Sequence, residues 1–185
     1  MSQSQLLIHT VKALEKTDCE YMLTGSLVSS MQGEPRATHD IDIVVEISQN
    51  KVEELLKEFT FDDFYYDLDC AKTAVKSGTM FNILSITSGD KIDIWALTES
   101  EFDQSRFSRR RPVVLFDFKM QVSSPEDTIL MKLLWAQKSG GSEKQLFDAA
   151  KVYELQLDIL DKAYFEVWIE KLGLNTQFTN MQRFL

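Results

Sequence analysis

"YMLTGSLVSSMQGEPRATHDIDIVV", residues 21–45, sets a Gly25-Ser26 step after one apolar run and Asp40-Ile41-Asp42 at the head of the next. Ile41, Ile43 and Val45 alternate with Asp40, Asp42 and Val44, which predicts a strand with one continuous apolar face. The same alternation puts Asp40 and Asp42 on one face, roughly 7 Å apart. Ionised carboxylates removed from water without partners cost several kcal/mol, so a pair of them at the head of a buried strand points to something cationic.

Around this strand the chain reads as alternating helix and strand. Leu7, Val11 and Leu14 mark an amphipathic helix over Gln5 to Lys16. "EYMLTG" reads as a short strand ending in Gly25, "SLVSSMQG" as a short helix capped by Ser26, and "EPRAT" as a loop. Ser48 can cap a helix over "QNKVEELLKEF", and residues 61 to 70 read as loop with a possible short strand. "MFNILSITSGDKIDIWAL" has the form of a β-hairpin around Ser88-Gly89-Asp90, with Asp93 between Ile92 and Ile94 on its second strand. A polar stretch, Thr98 to Arg111, precedes the strand-like "PVVLFDFKMQV".

From Ser124 onward the pattern is helical. Ser124 as N-cap, Pro125 at the first helical position, acids in the first turn and a Gly pair beyond the end bound one helix. Others are predicted over Ser142 to Leu157, Asp161 to Leu172 and the last few residues. The expected organisation is an α/β core over residues 1–123 and a helical region over 124–185.

Composition narrows the chemistry. The chain has 185 residues, 44% apolar and 26% charged, enough for a packed core. A net charge of -9 gives no overall attraction to a phosphate backbone or anionic membrane, so long nucleic acids are not expected as partners. Cys19 and Cys70 form neither a disulfide framework nor a metal pair, and no signal-like or membrane-length run is present, so a cytoplasmic location is expected. Two histidines, His9 and His39, in poor context leave little support for Ser-His-Asp or zinc hydrolase chemistry.

Asp40 and Asp42 at their spacing can share one or two Mg²⁺ ions, hard cations that take oxygen ligands. If the strand of Asp93 neighbours theirs, all three acids converge. A strand running into a helix at Gly25-Ser26 points free N–H groups outward and lets a phosphate approach the backbone. Each piece alone has an ordinary structural reading; a single D-x-D among 29 acidic residues is most often a solvated strand face. Lys132 lies in "TILMKLLWA", apolar nearly all round, so its ammonium needs an anion, for which a nucleotide phosphate would serve. Arg36, in the loop leading to the acids, is a second candidate phosphate contact. Arg106, Arg109, Arg110 and Arg111 form the one basic cluster and could receive an RNA end. Trp135, Trp168 and Phe165 fit helix cores.

In order, Gly-Ser, D-x-D and a later strand Asp resemble the nucleotidyltransferase superfamily with its polymerase-β-like palm. "GSLVSSMQGEPRATHDIDIVV" and "KIDIWAL" are similar to the two acidic strands of minimal nucleotidyltransferases. The helices after Ser124 resemble the abortive-infection-type toxin branch. The resemblance implies a mixed sheet with flanking helices, metals on Asp40, Asp42 and Asp93, and terminal phosphates on Gly25 and Ser26. Asp93 would also help deprotonate the acceptor. It further implies transfer of a nucleoside monophosphate from an NTP to a hydroxyl on a small molecule, RNA or protein, with release of pyrophosphate. The alternative is an inactive nucleotide- or partner-binding module of a toxin-antitoxin type system. Two departures stand out: the Ser26 to Asp40 spacing is slightly long, and Phe147 replaces a basic residue that relatives often carry before the acid matching Asp148. The second departure weakens any role for Asp148, which is left open.

Overall fold

Ile41, Ile43 and Val45 are fully buried while Asp40 and Glu46 at the strand's ends are exposed, as the alternation requires. The computed structural model describes all residues, 1–185. In chain order the elements are α1 (Gln3–Lys16), β1 (Glu20–Thr24), α2 (Gly25–Gln32), β2 (Asp40–Glu46), α3 (Gln49–Leu56), β3 (Phe64–Tyr65), α4 (Leu68–Ser77) and β4 (Met80–Ser85). They continue with β5 (Lys91–Ala96), α5 (Glu101–Ser108), β6 (Arg111–Leu115), β7 (Phe118–Val122), α6 (Pro125–Lys138), α7 (Glu143–Gln156), α8 (Lys162–Lys171) and α9 (Asn175–Met181). A turn of 3-10 helix, Gln182–Phe184, ends the chain.

The strands form one mixed sheet in the order β3-β4-β5-β2-β1-β7-β6. β2 runs parallel to β5 and β1 to β7, and the other pairs are antiparallel. One face of the central strands is a continuous apolar surface of Leu23, Ile41, Ile43, Ile83, Ile92 and Ile94, all buried. α1 packs on β1 and α4 on β4 and β5. On the opposite face Phe107 of α5 packs with Met22 and Val44, flanked by Trp95 and Leu97. That cover lies toward the C-terminal end of β2, and the head of β2, with Asp40, stays exposed.

The chain divides into two compact units, one of Met1–Thr24 with Thr38–Val122, the other of Gly25–Ala37 with Ser123–Leu185. The first holds the whole sheet with α1, α3, α4 and α5. The second holds α2 and α6 to α9, so segment 25–37 groups with the helical region rather than with the α/β core. The reason is local packing, since α2 lies against α6 and α7. At Gly33 the approach is so close that an added Cβ would meet the backbone of Val152 at 2.9 Å and Lys151 at 3.0 Å. Val28, Ile129, Leu130, Leu133, Ala149 and Trp168 are among the buried residues of this unit.

Several elements differ from the reading of the sequence. "PVVLFDFKMQV" is a hairpin, β6 and β7, whose two-residue turn is Phe116-Asp117, both with positive φ (50° and 63°). That is type I′ geometry built without the usual Asn-Gly, so no turn signal marks it. The loop expected over residues 61 to 70 ends in the start of α4, capped by Asp67, whose carboxylate accepts from Cys70 N. The polar stretch after Thr98 contains α5, capped by Ser100. α2 opens at Gly25 itself, with φ 69°, one residue before the expected cap. Trp168 and Phe165 are core residues, but Trp135 is 38% exposed, with Lys138 Nζ 5.5 Å from its ring centroid. No helix is long and apolar enough to cross a membrane.

Left-handed conformation costs non-glycine residues roughly 1–2 kcal/mol. Phe116 is half exposed and contributes little packing to offset that cost. Phe116→Asn with Asp117→Gly therefore stabilises the chain by about 1 kcal/mol and raises Tm by about 2–4 °C in thermal unfolding followed by circular dichroism. An unchanged or lower Tm would contradict the turn assignment.

Candidate active site

The parallel register of β2 and β5 decides which acids meet. Asp42 pairs with Asp93 and Asp40 with Lys91, so all four side chains leave one face of the sheet. Thr24 of β1 lies opposite Asp42, and Asn82 of β4 lies opposite Asp93. Lys91 Nζ stands 2.9 Å from Asp93 Oδ2 and 3.6 Å from Asp40 Oδ1. Asp42 Oδ1 accepts a hydrogen bond from Trp95 Nε1 at 3.3 Å.

Asp93 is only 6% exposed, and its Oδ1 is buried without a hydrogen-bond partner. Burial pushes the Asp93 carboxyl above its ordinary range; the hydrogen bond and charge of Lys91 work against that shift, and Asp40 adds to it. The hydrogen bond to Asp93 raises the Lys91 ammonium in turn. The carboxylates do not close into a metal-binding group of three or more ligands. The donor set still fits a hard cation. It consists of carboxylate oxygens on a shared face, one of them buried and unpartnered, with a lysine ammonium already seated between two of the acids.

The second unit holds a separate ionic network on Ser26, Arg36, Lys132 and Asp148. Gly25, with its positive φ, opens α2 and sets Ser26 in the first turn. Arg36 Nη2 donates to Ser26 Oγ at 2.7 Å and to Asp148 Oδ2 at 2.7 Å, while its Nε donates to Asp148 Oδ1 at 3.0 Å. This is a bidentate guanidinium-carboxylate pair. Lys132 Nζ lies 2.7 Å from Asp148 Oδ2 and 3.4 Å from Ser26 Oγ. Lys132 and Asp148 are almost fully buried. Burial alone would push the Asp148 carboxyl up, but hydrogen bonds from Arg36 and Lys132 outweigh it and hold the group below the usual carboxylate range.

The expectation that Lys132 needs an anion is therefore met in this structure by Asp148, whose role the sequence leaves open. The signal was present in the apolar surroundings of both charges, "LMKLLW" and "LFDAAKV", but the crossing of α6 and α7 that joins them cannot be read from spacing. Lys91 and Trp95 were also missed as partners of the acids. Both follow from alternation, since residues 91, 93 and 95 must share a face.

The arginine cluster is engaged within the fold. Arg106 Nε donates to Asp103 Oδ1 at 2.7 Å, and Arg110 pairs with Glu20 and lies over the Phe107 ring at 4.3 Å. Arg109 and Arg111 are partnered as well. His39 is exposed and lies 3.4 Å from Asp90.

No protein-family model matches the chain, and no curated protein matches it in sequence. Solved structures do. The solution structure of the antibiotic-resistance factor ANT(2'')-Ia is similar with a TM-score of 0.56 at 12% identity, covering 99% of this chain and 97% of that one. The lincosamide antibiotic adenylyltransferase LnuA, bound to lincomycin, gives a TM-score of 0.57 at 13% identity over 84% of this chain and 98% of that one. An antigenic nucleotidyltransferase-like protein from Paracoccidioides brasiliensis gives 0.53 at 16% identity over 99% and 94%. With its mixed sheet, flanking helices and C-terminal helices, this chain has the nucleotidyltransferase fold.

Proposed function

We propose that this protein is a divalent-metal-dependent nucleotidyltransferase that moves a nucleoside monophosphate from an NTP to a hydroxyl of a small molecule and releases pyrophosphate. The observation that carries the reading is the pairing of Asp42 with Asp93 across adjacent parallel strands, with Asp93 Oδ1 buried and unpartnered. Asp40, Asp42 and Asp93 would hold the metal, Mg²⁺ by the chemistry of the donor set. When bound, it neutralises phosphate charge and aligns the entering and leaving oxygens.

The chain's own residues supply the rest. The acceptor oxygen attacks the α-phosphorus, the bond from that phosphorus to the bridging oxygen breaks, and pyrophosphate leaves. Asp93, opposite Asp42 on the neighbouring strand, would take the hydroxyl proton. Gly25 and Ser26, at the start of α2, would offer backbone N–H groups to the terminal phosphates. Arg36 and Lys132, both within reach of the Ser26 hydroxyl, would be the side chains that meet a phosphate there. The arginines of the basic cluster already have partners, and the net charge is -9, which supports a small acceptor over a polyanionic one. The antibiotic adenylyltransferase among the neighbours acts on an acceptor of that kind.

The direct test is incubation with labelled NTPs, Mg²⁺ and a panel of hydroxyl-bearing small molecules, with labelled RNA and protein acceptors alongside. Label in none of the acceptors would overturn the proposal. Asp42→Asn should lower transfer on the order of a hundredfold or more, the equivalent of several kcal/mol of charge stabilisation, with an unchanged circular dichroism spectrum. Wild-type turnover in that variant would remove Asp42 from the site.

Asp148→Asn leaves Arg36 and Lys132 without their shared carboxylate and should destabilise the chain by about 3–5 kcal/mol at pH 7, measured by urea unfolding. Because the folded pKa of Asp148 is depressed, its contribution is complete above the unfolded carboxyl value of about 3.9 and is lost as pH falls through the lower folded value. The gap between variant and wild type should therefore close only in strong acid; a gap that closes near neutrality would count against the network.

A further inference from the structure

The sheet face that bears the acids also bears a lysine, and no part of the proposed transfer uses it. Lys91 opens β5 directly opposite Asp40, and its backbone N–H donates to His39 O at 3.3 Å, which fixes where its side chain starts. Its ammonium reaches Asp93 Oδ2 at 2.9 Å and Asp40 Oδ1 at 3.6 Å, oxygens on two of the three residues proposed to hold the metal. The side chain is 35% exposed on a flexible four-carbon stem, so it has a route to water that the buried carboxylate of Asp93 lacks.

We propose that Lys91 is the built-in counter-cation of the carboxylate site, holding Asp40 and Asp93 together and competing with the divalent ion for their oxygens. The inference rests on the reading of Asp40, Asp42 and Asp93 as the metal-binding acids. Two cations cannot share the same carboxylate oxygens at contact distance without strong repulsion, so loading requires the ammonium to swing toward solvent. Lys91 thereby sets the metal concentration at which the site fills. It also offsets the desolvation of Asp93, so removing it costs stability when no metal is present. Arginine keeps the charge, whereas methionine keeps the length and apolar stem without it.

The test measures Mn²⁺ binding directly, by the electron paramagnetic resonance signal of the free ion, with no nucleotide present. Lys91→Met and Lys91→Gln should each bind Mn²⁺ at least about tenfold more tightly than wild type, and Lys91→Arg should stay close to wild type. In EDTA the Met and Gln variants should melt below wild type, and saturating Mn²⁺ should narrow that difference. Unchanged or weaker Mn²⁺ binding in both neutral variants would overturn the inference. Asp42→Asn separates the two levels of failure. Saturable wild-type binding that this variant abolishes, without tightening on loss of Lys91, sinks the role of Lys91 alone. Absence of saturable binding in wild type and neutral variants alike sinks the metal-site reading with it.

Discussion

The parallel pairing of β2 with β5 is the constraint on which the candidate site depends. Two strands distant in sequence lie side by side with Asp42 opposite Asp93 and Ile41 opposite Ile92. A register slip of one residue would turn Ile41, Ile43, Ile92 or Ile94 out of the core and an aspartate into it. The isoleucines are fully buried, so burial of apolar surface on one face enforces the meeting of acids on the other. Stability and site geometry are thus set by the same register. The electrostatic cost of gathering acids is met locally, by the ammonium of Lys91 and by the indole N–H of Trp95.

The helical unit handles the opposite charge in an opposite manner. There two cations converge on one carboxylate, and Asp148 answers both Arg36 and Lys132 through its two oxygens. A lysine as buried as Lys132 would be disfavoured in its charged form without such a partner. The Ser26 hydroxyl, close to both cations, ties the start of α2 to the network.

What was legible in the sequence follows the strength of its periodic signals. β2 and β5 carry isoleucines at alternate positions around their acids, and α6 carries cap, proline and first-turn acids together, so all three are readable with near-correct bounds. α4 and α5 were not, although Asp67, Gly78 and Ser100 mark their ends, because their interiors are polar and short. The β6-β7 hairpin was hidden by a turn of phenylalanine and aspartate in conformations those residues seldom adopt. Within the candidate site, alternation gave the acids that share a face. The link from Lys132 to Asp148 depends on helix packing, which local sequence does not encode.

The low identity to the structural neighbours, 12–16%, has a physical counterpart in how little of the chain the fold constrains closely. A buried sheet face accepts any β-branched or aliphatic residue of suitable volume, and a helix cap accepts Ser, Asp, Asn or Thr. What cannot drift freely is a charged residue at low exposure, because its partner must change with it. Asp93 with Lys91, and Asp148 with Arg36 and Lys132, are such sets in this chain. Differences in chemistry between proteins of this fold are therefore best sought in these coupled charges and in the residues that surround them, since the apolar framework can be shared by enzymes with quite different acceptors.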